Sequence, residues 1–418
     1  MAKAVVIGGG IGGLTAGIAL HREGWEVSVL ERAPKLEPVG SGLAIAVNGL
    51  RALDTLGLGD AVRGLSRVQG QAGIRAAGGR WLTHTTEDTA RRRYGDSVVV
   101  LLRATLVDLL VDALGLERLR LNTTVTAVDA TTGDIHTTTT DPGTTIGDVR
   151  LTTTGPQKAA DLVSQEAAGD GGRLRADLVV AADGVNSAVR AALFPGHPAP
   201  AYAGVTAWRG LVPRPDVPVR SAESWGRGTV FGAHPISDDL VYFYATDLSP
   251  AGAAHGDERA ELLRRFGGWH QPIPAVLRAA DPARIIRNDL FYLREPLPAM
   301  HVGRVALVGD AAHPMTPNLG QGACQAIEDA VVLARLANGD LAAYTEARLR
   351  RTAEVVRRSM SICTMTKLRN PVAVALRDSG MSLATRLMPD LMLRSMDGIL
   401  GWRPPPRTGN GQEPAAPA

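Results

Sequence analysis

Three glycines at fixed spacing open the chain: Gly8, Gly10 and Gly13, with Ile11 and Gly12 before the last of them. Such a run suits an anion held by backbone. Gly8 makes a tight turn, Gly10 lets the chain approach a pyrophosphate, and Gly13 lets a helix pack closely on the strand before it. Free N–H groups at the helix start add the positive end of its dipole. Glu31, followed by Arg32, stands about 20 residues on, where an acid takes the ribose hydroxyls of a dinucleotide. Three more groups carry chemistry: Asp183-Gly184-x-x-Ser187-x-x-Arg190, Gly309-Asp310-Ala311-Ala312-His313-Pro314, and Pro317-Asn318-Leu319-Gly320-Gln321-Gly322. The second puts a carboxylate at a strand end, where open α/β sheets bind ligands. The third offers backbone N–H groups at a helix start.

The elements that must position these residues are legible as patterns. Residues 4–7 are a short apolar run fit for a buried parallel strand, 14–23 a helix, and 26–30 a second strand. The strand pattern returns at 177–182 and 302–308, each time running into one of the motifs. Helices are predicted at 188–193, 258–266, 323–337 and 341–368. Asn48 is read as the N-cap of a helix over 48–56, after Gly42 and a strand at 44–47. Residues 73–86 alternate around Gly78-Gly79 and read as a hairpin outside the first βαβ unit. Between the second and third parallel strands, 201–247 reads as β throughout and holds Tyr202, Trp208, Trp225, Phe231, Tyr242, Phe243 and Tyr244. With aromatics at only 4% of the chain, that clustering predicts a sheet-based unit with an apolar pocket.

The expected class is α/β: a Rossmann-like nucleotide-binding domain with an inserted, mainly β substrate domain and C-terminal helices. The boundaries are placed at 1–72, 94–190 and 280–345 for the first, 73–93 and 191–279 for the second, 346–403 for the helices, and 404–418 for a disordered tail. The Thr-rich stretch 118–158, with its Asp141-Pro142-Gly143 turn, is read as a solvated meander of exposed strands. Met388, Met392 and Met396 at helical spacing within 381–402 point to core or dimer packing.

Bulk properties narrow the function classes. The 418 residues are 45% hydrophobic and 21% charged, as in ordinary globular proteins. A net charge of +3 carries no nucleic-acid footprint, and Arg91-Arg92-Arg93 reads as a solvated loop. Two cysteines exclude a disulfide framework and point to a reducing, cytoplasmic setting. Lys3 before an apolar stretch imitates a signal peptide, but the glycine spacing accounts for that stretch. No apolar run reaches the roughly 18 residues of a membrane span. No metal site is expected.

The four motifs, in this order and at these spacings, resemble the single-component FAD-dependent aromatic hydroxylases, the p-hydroxybenzoate hydroxylase-like flavoprotein monooxygenases. The resemblance covers the chain to about Pro406. It implies that Gly8, Gly10, Ile11, Gly12, Gly13, Glu31, Arg32, Gly42, Arg103, Asp183, Gly184, Gly309, Asp310, Pro317, Gly320, Gln321 and Gly322 bind FAD, with Asp310 on the ribityl chain. It implies NADPH or NADH as a reductant that visits and leaves, since only one glycine fingerprint exists. It implies O₂ as co-substrate, activated at the flavin C4a position, and a small aromatic or polyketide-like molecule as oxygen acceptor. Thr105 stands where the family often has an acid. Trp208, Arg209, His234, Tyr242, Tyr244, Met315 and Pro317 are the candidates for the substrate pocket. His313 and Cys324 read as structural. Without the thioredoxin-like domain of some larger polyketide hydroxylases, the chain is similar to the shorter members. Baeyer–Villiger insertion, epoxidation and dehydrogenation stay open as alternatives on the same scaffold; halogenation lacks its Trp-x-Trp-x-Ile-Pro pattern, and a prenyl-protein escort would not need the Asp310 and Gln321 motifs. The sequence leaves monomer and homodimer equally open.

Overall fold

A computed structural model describes residues 1–36, 41–65, 71–139, 150–151, 172–253, 255–388 and 391–406. Two sheets organise it. The first has six strands in the order His301–Val302, Val305–Leu307, Leu178–Ala181, Lys3–Ile7, Glu26–Leu30 and Leu119–Arg120. All neighbours are parallel except the edge pair of His301–Val302 with Val305–Leu307. Val5, Val6, Val179, Val180, Val305 and Leu307 are buried, the continuous apolar habit of parallel strands covered on both faces. Ile11–Arg22 and Gly322–Leu336 pack together on this sheet.

The second sheet has seven strands in the order Ile286–Tyr292, Ala201–Pro213, Leu240–Asp247, Thr229–Pro235, Ala222–Trp225, Gln71–Ala76 and Trp81–Thr86. One sequence expectation changes here. Ile286–Tyr292, assigned from sequence to the nucleotide-binding part, pairs antiparallel with Ala201–Pro213 and extends the second sheet. The 73–86 hairpin joins the same sheet, through a parallel pairing of Gln71–Ala76 with Ala222–Trp225, a strand the sequence reading missed. Its outer face is covered by Glu258–Phe266 and Ile273–Arg278, around Trp208, Phe231, Phe243 and Phe266.

One long helix, Leu341–Thr366, ties the sheets together: Val355 joins the first core while Cys363 packs with Ala203, Val205, Ala207 and Leu290 of the second. The next helix, Pro371–Leu387, starts where Asn370 accepts N–H bonds from Val372 and Ala373 and Pro371 takes the first helical position. It lies on Trp81–Thr86 and sends Met381 towards Ile74 and Trp225.

Three further expectations are corrected. Asn48 is not a cap: the helix is Val47–Asp54, Ala46 holds the extended N-cap position, and Asn48 is fully buried inside. The methionine run is not one helix but the end of Pro371–Leu387 followed by Leu391–Ser395 and Asp397–Leu400; Met388 is exposed at the break. Strands Thr123–Val128 and Asp134–Thr139 do form in the Thr-rich segment, but Val125, Val128 and Ile135 are buried in the main core, so they are not a purely solvated excursion. Asp141-Pro142-Gly143, the Thr152–154 run, residues 407–418 of the expected tail and the Met392 side chain lie outside the described residues.

Candidate active site

The glycine loop has the geometry its sequence requires. Gly8 adopts φ +110°, and a Cβ there would lie 2.4 Å from the Ala182 carbonyl oxygen. A Cβ on Gly13 would lie 1.9 Å from the Gly8 carbonyl oxygen, so only glycine lets Ile11–Arg22 seat against the first strand. Gly10 sits at the helix N-cap with nothing within 4 Å of an added Cβ. That space is where an anion meets the helix start. Glu31 accepts from the Gly9 N–H at 2.7 Å and the Ala33 N–H at 2.9 Å, which fixes its carboxylate beside the loop. Arg32 follows it, exposed.

Two motif loops meet the glycine loop at the carboxyl ends of the parallel strands. Asp183 accepts from Ser187 Oγ at 2.6 Å and from the Val189 N–H, so it holds the start of Ala188–Leu193. Arg190, 5% exposed, spans both loops: it donates to the carbonyls of Val185, Asp310 and Ala311. Asp310 itself opens onto the cleft, exposed to its solvent yet walled by protein. Enclosure raises its pKa, against the pull of His313, Arg103 and Arg190. Arg103 begins Arg103–Leu114, its N–H bonded to the Ser41 carbonyl.

Behind these loops lies a fully buried ionic network that the sequence reading missed. Asp329 accepts from the Gly309 N–H at 2.9 Å, from His313 Nε2 at 2.6 Å and from Arg348 Nε at 2.7 Å. Burial alone would raise the Asp329 pKa; His313 and Arg348 outweigh it and bring it down to about 2. Glu328 takes Arg348, Arg351 and the Asn48 amide, and Asn48 also donates to Gln321 Oε1 at 2.9 Å. His313 is thus a strut and not a base. The signal available was the spacing of two acids on one helix with an arginine on the next, but strand and helix pairing alone makes it meaningful. Cys324 is buried, with its thiol pushed up to about 12 by burial.

The 317–322 loop carries Pro317 and Gly320 exposed towards the cleft and Gln321 buried. Asn318 Oδ1 and Gln321 Nε2 are buried with no hydrogen-bond partner among the described residues. With the open space at Gly10 and an Asp310 carboxylate that accepts no hydrogen bond among the described residues, these are the unmet polar groups expected of a cradle for FAD. The residues present fit that cofactor.

The second sheet faces this loop with the inner side of its strands. An added Cβ on Gly320 would lie 3.7 Å from Ala44 Cβ, and Ala44 packs against the cluster of Val100, Ile236 and Tyr242. Gly42 must be glycine because Tyr242 Cδ1 would lie 2.6 Å from its Cβ. Register puts Arg209 beside Tyr244, Tyr244 beside Gly232, and His234 beside Tyr242. Alternation therefore gathers Arg209, Tyr242, Tyr244, His234 and Glu223 on the inner face. Trp208 is corrected by the same rule. It points to the outer face, fully buried against Phe231, Phe243 and Phe266, with Nε1 donating to Glu258 Oε2 at 2.6 Å. Met315 packs on the core of the first sheet, on the loop between Asp310 and Pro317.

Glu223 was not anticipated. Its Oε1 accepts from Tyr244 OH and its Oε2 from Trp225 Nε1 at 2.8 Å. Burial raises the pKa of Glu223 and of Tyr244, and the neighbouring Glu223 raises Tyr244 further, against Arg209. His234, stacked on Tyr244 with centroids 5.6 Å apart, is brought down to about 4 by burial; Ser221 Oγ lies 2.7 Å from its Nδ1. An acid two residues from a buried indole was the available signal, masked because the strand itself was not recognised.

A parallel sheet with a glycine loop at its carboxyl edge, facing an aromatic sheet across the cleft, defines a flavoprotein with separate cofactor and substrate layers. The FAD binding domain family matches residues 1–226 and 279–359, and the chain belongs to it, among the FAD-dependent aromatic hydroxylases. It is 36% identical to the aurachin C monooxygenase/isomerase of Stigmatella aurantiaca, over 91% of this chain and 93% of that one. It is 30% identical to the FAD-dependent urate hydroxylase of Mycolicibacterium vanbaalenii, over 88% and 90%. The crystal structure of Klebsiella pneumoniae HpxO with FAD and uric acid superposes with a TM-score of 0.80 at 27% identity, over 96% and 98%. This protein is an FAD-dependent monooxygenase. Among the described residues no helix is long and apolar enough to cross a membrane.

Proposed function

We propose that this enzyme hydroxylates a small, electron-rich aromatic or heteroaromatic molecule bearing a hydroxyl group, with NADPH or NADH as transient reductant. The observation that carries the reading is the inner-face cluster of Glu223, Tyr244 and Arg209, next to Tyr242, whose packing cluster takes Ala44 beside Gly320 of the 317–322 loop. Relatives named for aurachin C, urate and 3-amino-4-hydroxybenzoate support the substrate class. FAD, held by the glycine loop, Glu31, Arg103, Asp310 and the 317–322 loop, supplies the electron transfer and oxygen activation.

The chain's own residues prepare the substrate. Tyr244 Oη accepts the proton of the substrate hydroxyl while its own proton passes to Glu223 Oε1. Glu223 starts as the carboxylate, accepting from Tyr244 Oη and Trp225 Nε1, and burial raises its pKa, so it is a stronger base for that proton. Arg209 faces the resulting anion from the neighbouring strand position. Loss of the hydroxyl proton enriches the ring towards an electrophilic oxygen. Tyr242, Trp225 and Ile74 exclude water around it. Glu223 replaced by an apolar residue would leave Tyr244 and Trp225 without an acceptor.

The test is a panel of phenols, hydroxyquinolines and purines under ¹⁸O₂ with NADH and NADPH in parallel. The expected result is substrate-stimulated oxidation of one reductant and a product heavier by one ¹⁸O atom. A dehydrogenated or ring-expanded product would move the enzyme to another reaction on this scaffold.

A further inference from the structure

A second cavity lies on the opposite face of the seven-stranded sheet. It encloses about 200 Å³ between Ala222, Ser224, Phe231 and Ala233 of the strands and Pro272 and Ile273 at the start of Ile273–Arg278. Alternation separates it from the substrate face: Ser224 points into it, while its neighbours Glu223 and Trp225 point the other way.

Its charge is one-sided. Arg75 stands beside Ser224 in the parallel pairing, and Arg220 lies at the same rim. Neither has an ion pair among the described residues, and burial and the like charge of Arg220 both lower the Arg75 pKa. Arg75 Nε is buried with no hydrogen-bond partner; its guanidinium lies 4.0 Å over the Trp81 ring. The other polar groups are already engaged. Gln271 O can only accept, so His270 Nδ1 donates to it at 2.5 Å, and His270 Nε2 therefore accepts from Ser224 Oγ at 2.8 Å. The unmet donors are the two guanidiniums.

Two like charges held together at a cavity with no carboxylate between them make an oxyanion site. We propose that this cavity binds a small organic oxyanion, a carboxylate or phosphate on a body of one ring, with the oxygens on Arg75 and Arg220 and the ring against Phe231, Pro272 and Ile273. An engineered apolar cavity of about 150 Å³ accepts benzene, so the volume fits a single ring. The site is separate from the proposed hydroxylation and does not depend on it.

The experiment titrates benzoate, and separately inorganic phosphate, into the FAD-loaded enzyme by calorimetry while flavin absorbance is recorded. Wild type should bind benzoate at one equivalent without a change in the flavin spectrum. Arg220→Gln, at an exposed position, and Arg75→Gln should each weaken that binding at least about tenfold with FAD content and basal turnover unchanged. Arg209→Gln, on the substrate face, should leave it intact. Phosphate bound in wild type and lost in Arg220→Gln supports the oxyanion contact. Benzoate binding that is absent at millimolar concentration, or that survives both Arg75→Gln and Arg220→Gln, or that disappears in Arg209→Gln, overturns the proposal.

Discussion

The cofactor half and the substrate half of this enzyme are built by different means. In the first sheet the groups we assign to recognition are backbone: N–H groups of the glycine loop and the 317–322 loop, with few side chains at fixed places. In the second they are side chains on one face of a sheet, placed by register. Backbone recognition demands particular residues at particular spacings, because a single Cβ fills the ligand's space. Face recognition demands only that every second residue point inward, and many sequences satisfy that. The first half is therefore brittle and the second adjustable, which suits a family that keeps FAD and varies its substrate.

Breaking the brittle half should have the largest effect. Gly13→Val places atoms inside the contact with the Gly8 carbonyl, so the protein should be insoluble or free of flavin; the flavin absorbance of purified protein checks this. Asp310→Ala should preserve the fold and weaken FAD retention by roughly tenfold to a hundredfold, the worth of about one or two charge-assisted hydrogen bonds. Dialysis followed by flavin fluorescence measures it.

Two substitutions sharpen the division within the second sheet. Tyr244→Phe, on the inner face, should lower turnover by about 100-fold, the usual yield of a positioned acid–base group, with FAD content unchanged. Trp208→Ala, one position from Arg209 on the strand, should instead cost about 3–5 kcal/mol of stability, seen in denaturant unfolding, with little change in the activity of the folded fraction. If Trp208→Ala raised KM selectively, the assignment of faces would be wrong.

The smallest effect concerns pH. The His234 pKa falls from about 6.5 in the unfolded chain to about 4 in the native one. As pH drops from about 6.5 towards 4, the unfolded chain takes up a proton that folded His234 refuses. Stability is lost over that window, by up to about 3 kcal/mol. His234→Gln should flatten this part of the stability–pH curve, followed by thermal unfolding at pH 4.5 and 7.5.

The same contrast explains what the sequence disclosed. Gly8, Gly13, Gly309 and Gly320 are legible because backbone geometry disfavours other residues there, and Gly10 because a Cβ would stand in the space left open at the helix start. The buried strands were legible because parallel strands covered on both faces are continuously apolar. Trp208 was misplaced because an aromatic residue beside an arginine looks equally fit for either face until register is known. Glu223 was missed because Ala222–Trp225 is four residues long and shielded by prolines and glycines from recognition as a strand. Asn48 has a capping residue's chemistry, but Gln321 and Glu328, more than 270 positions away, claim its amide. Such long-range partners leave no local pattern.

The separation of the two halves is tested most directly by Glu223→Gln, assayed for flavin content and ¹⁸O-labelled product in the same sample. FAD at one equivalent with labelled product reduced on the order of 100-fold is the expected result. Flavin lost together with activity, or labelled product formed at the wild-type rate, would contradict the account.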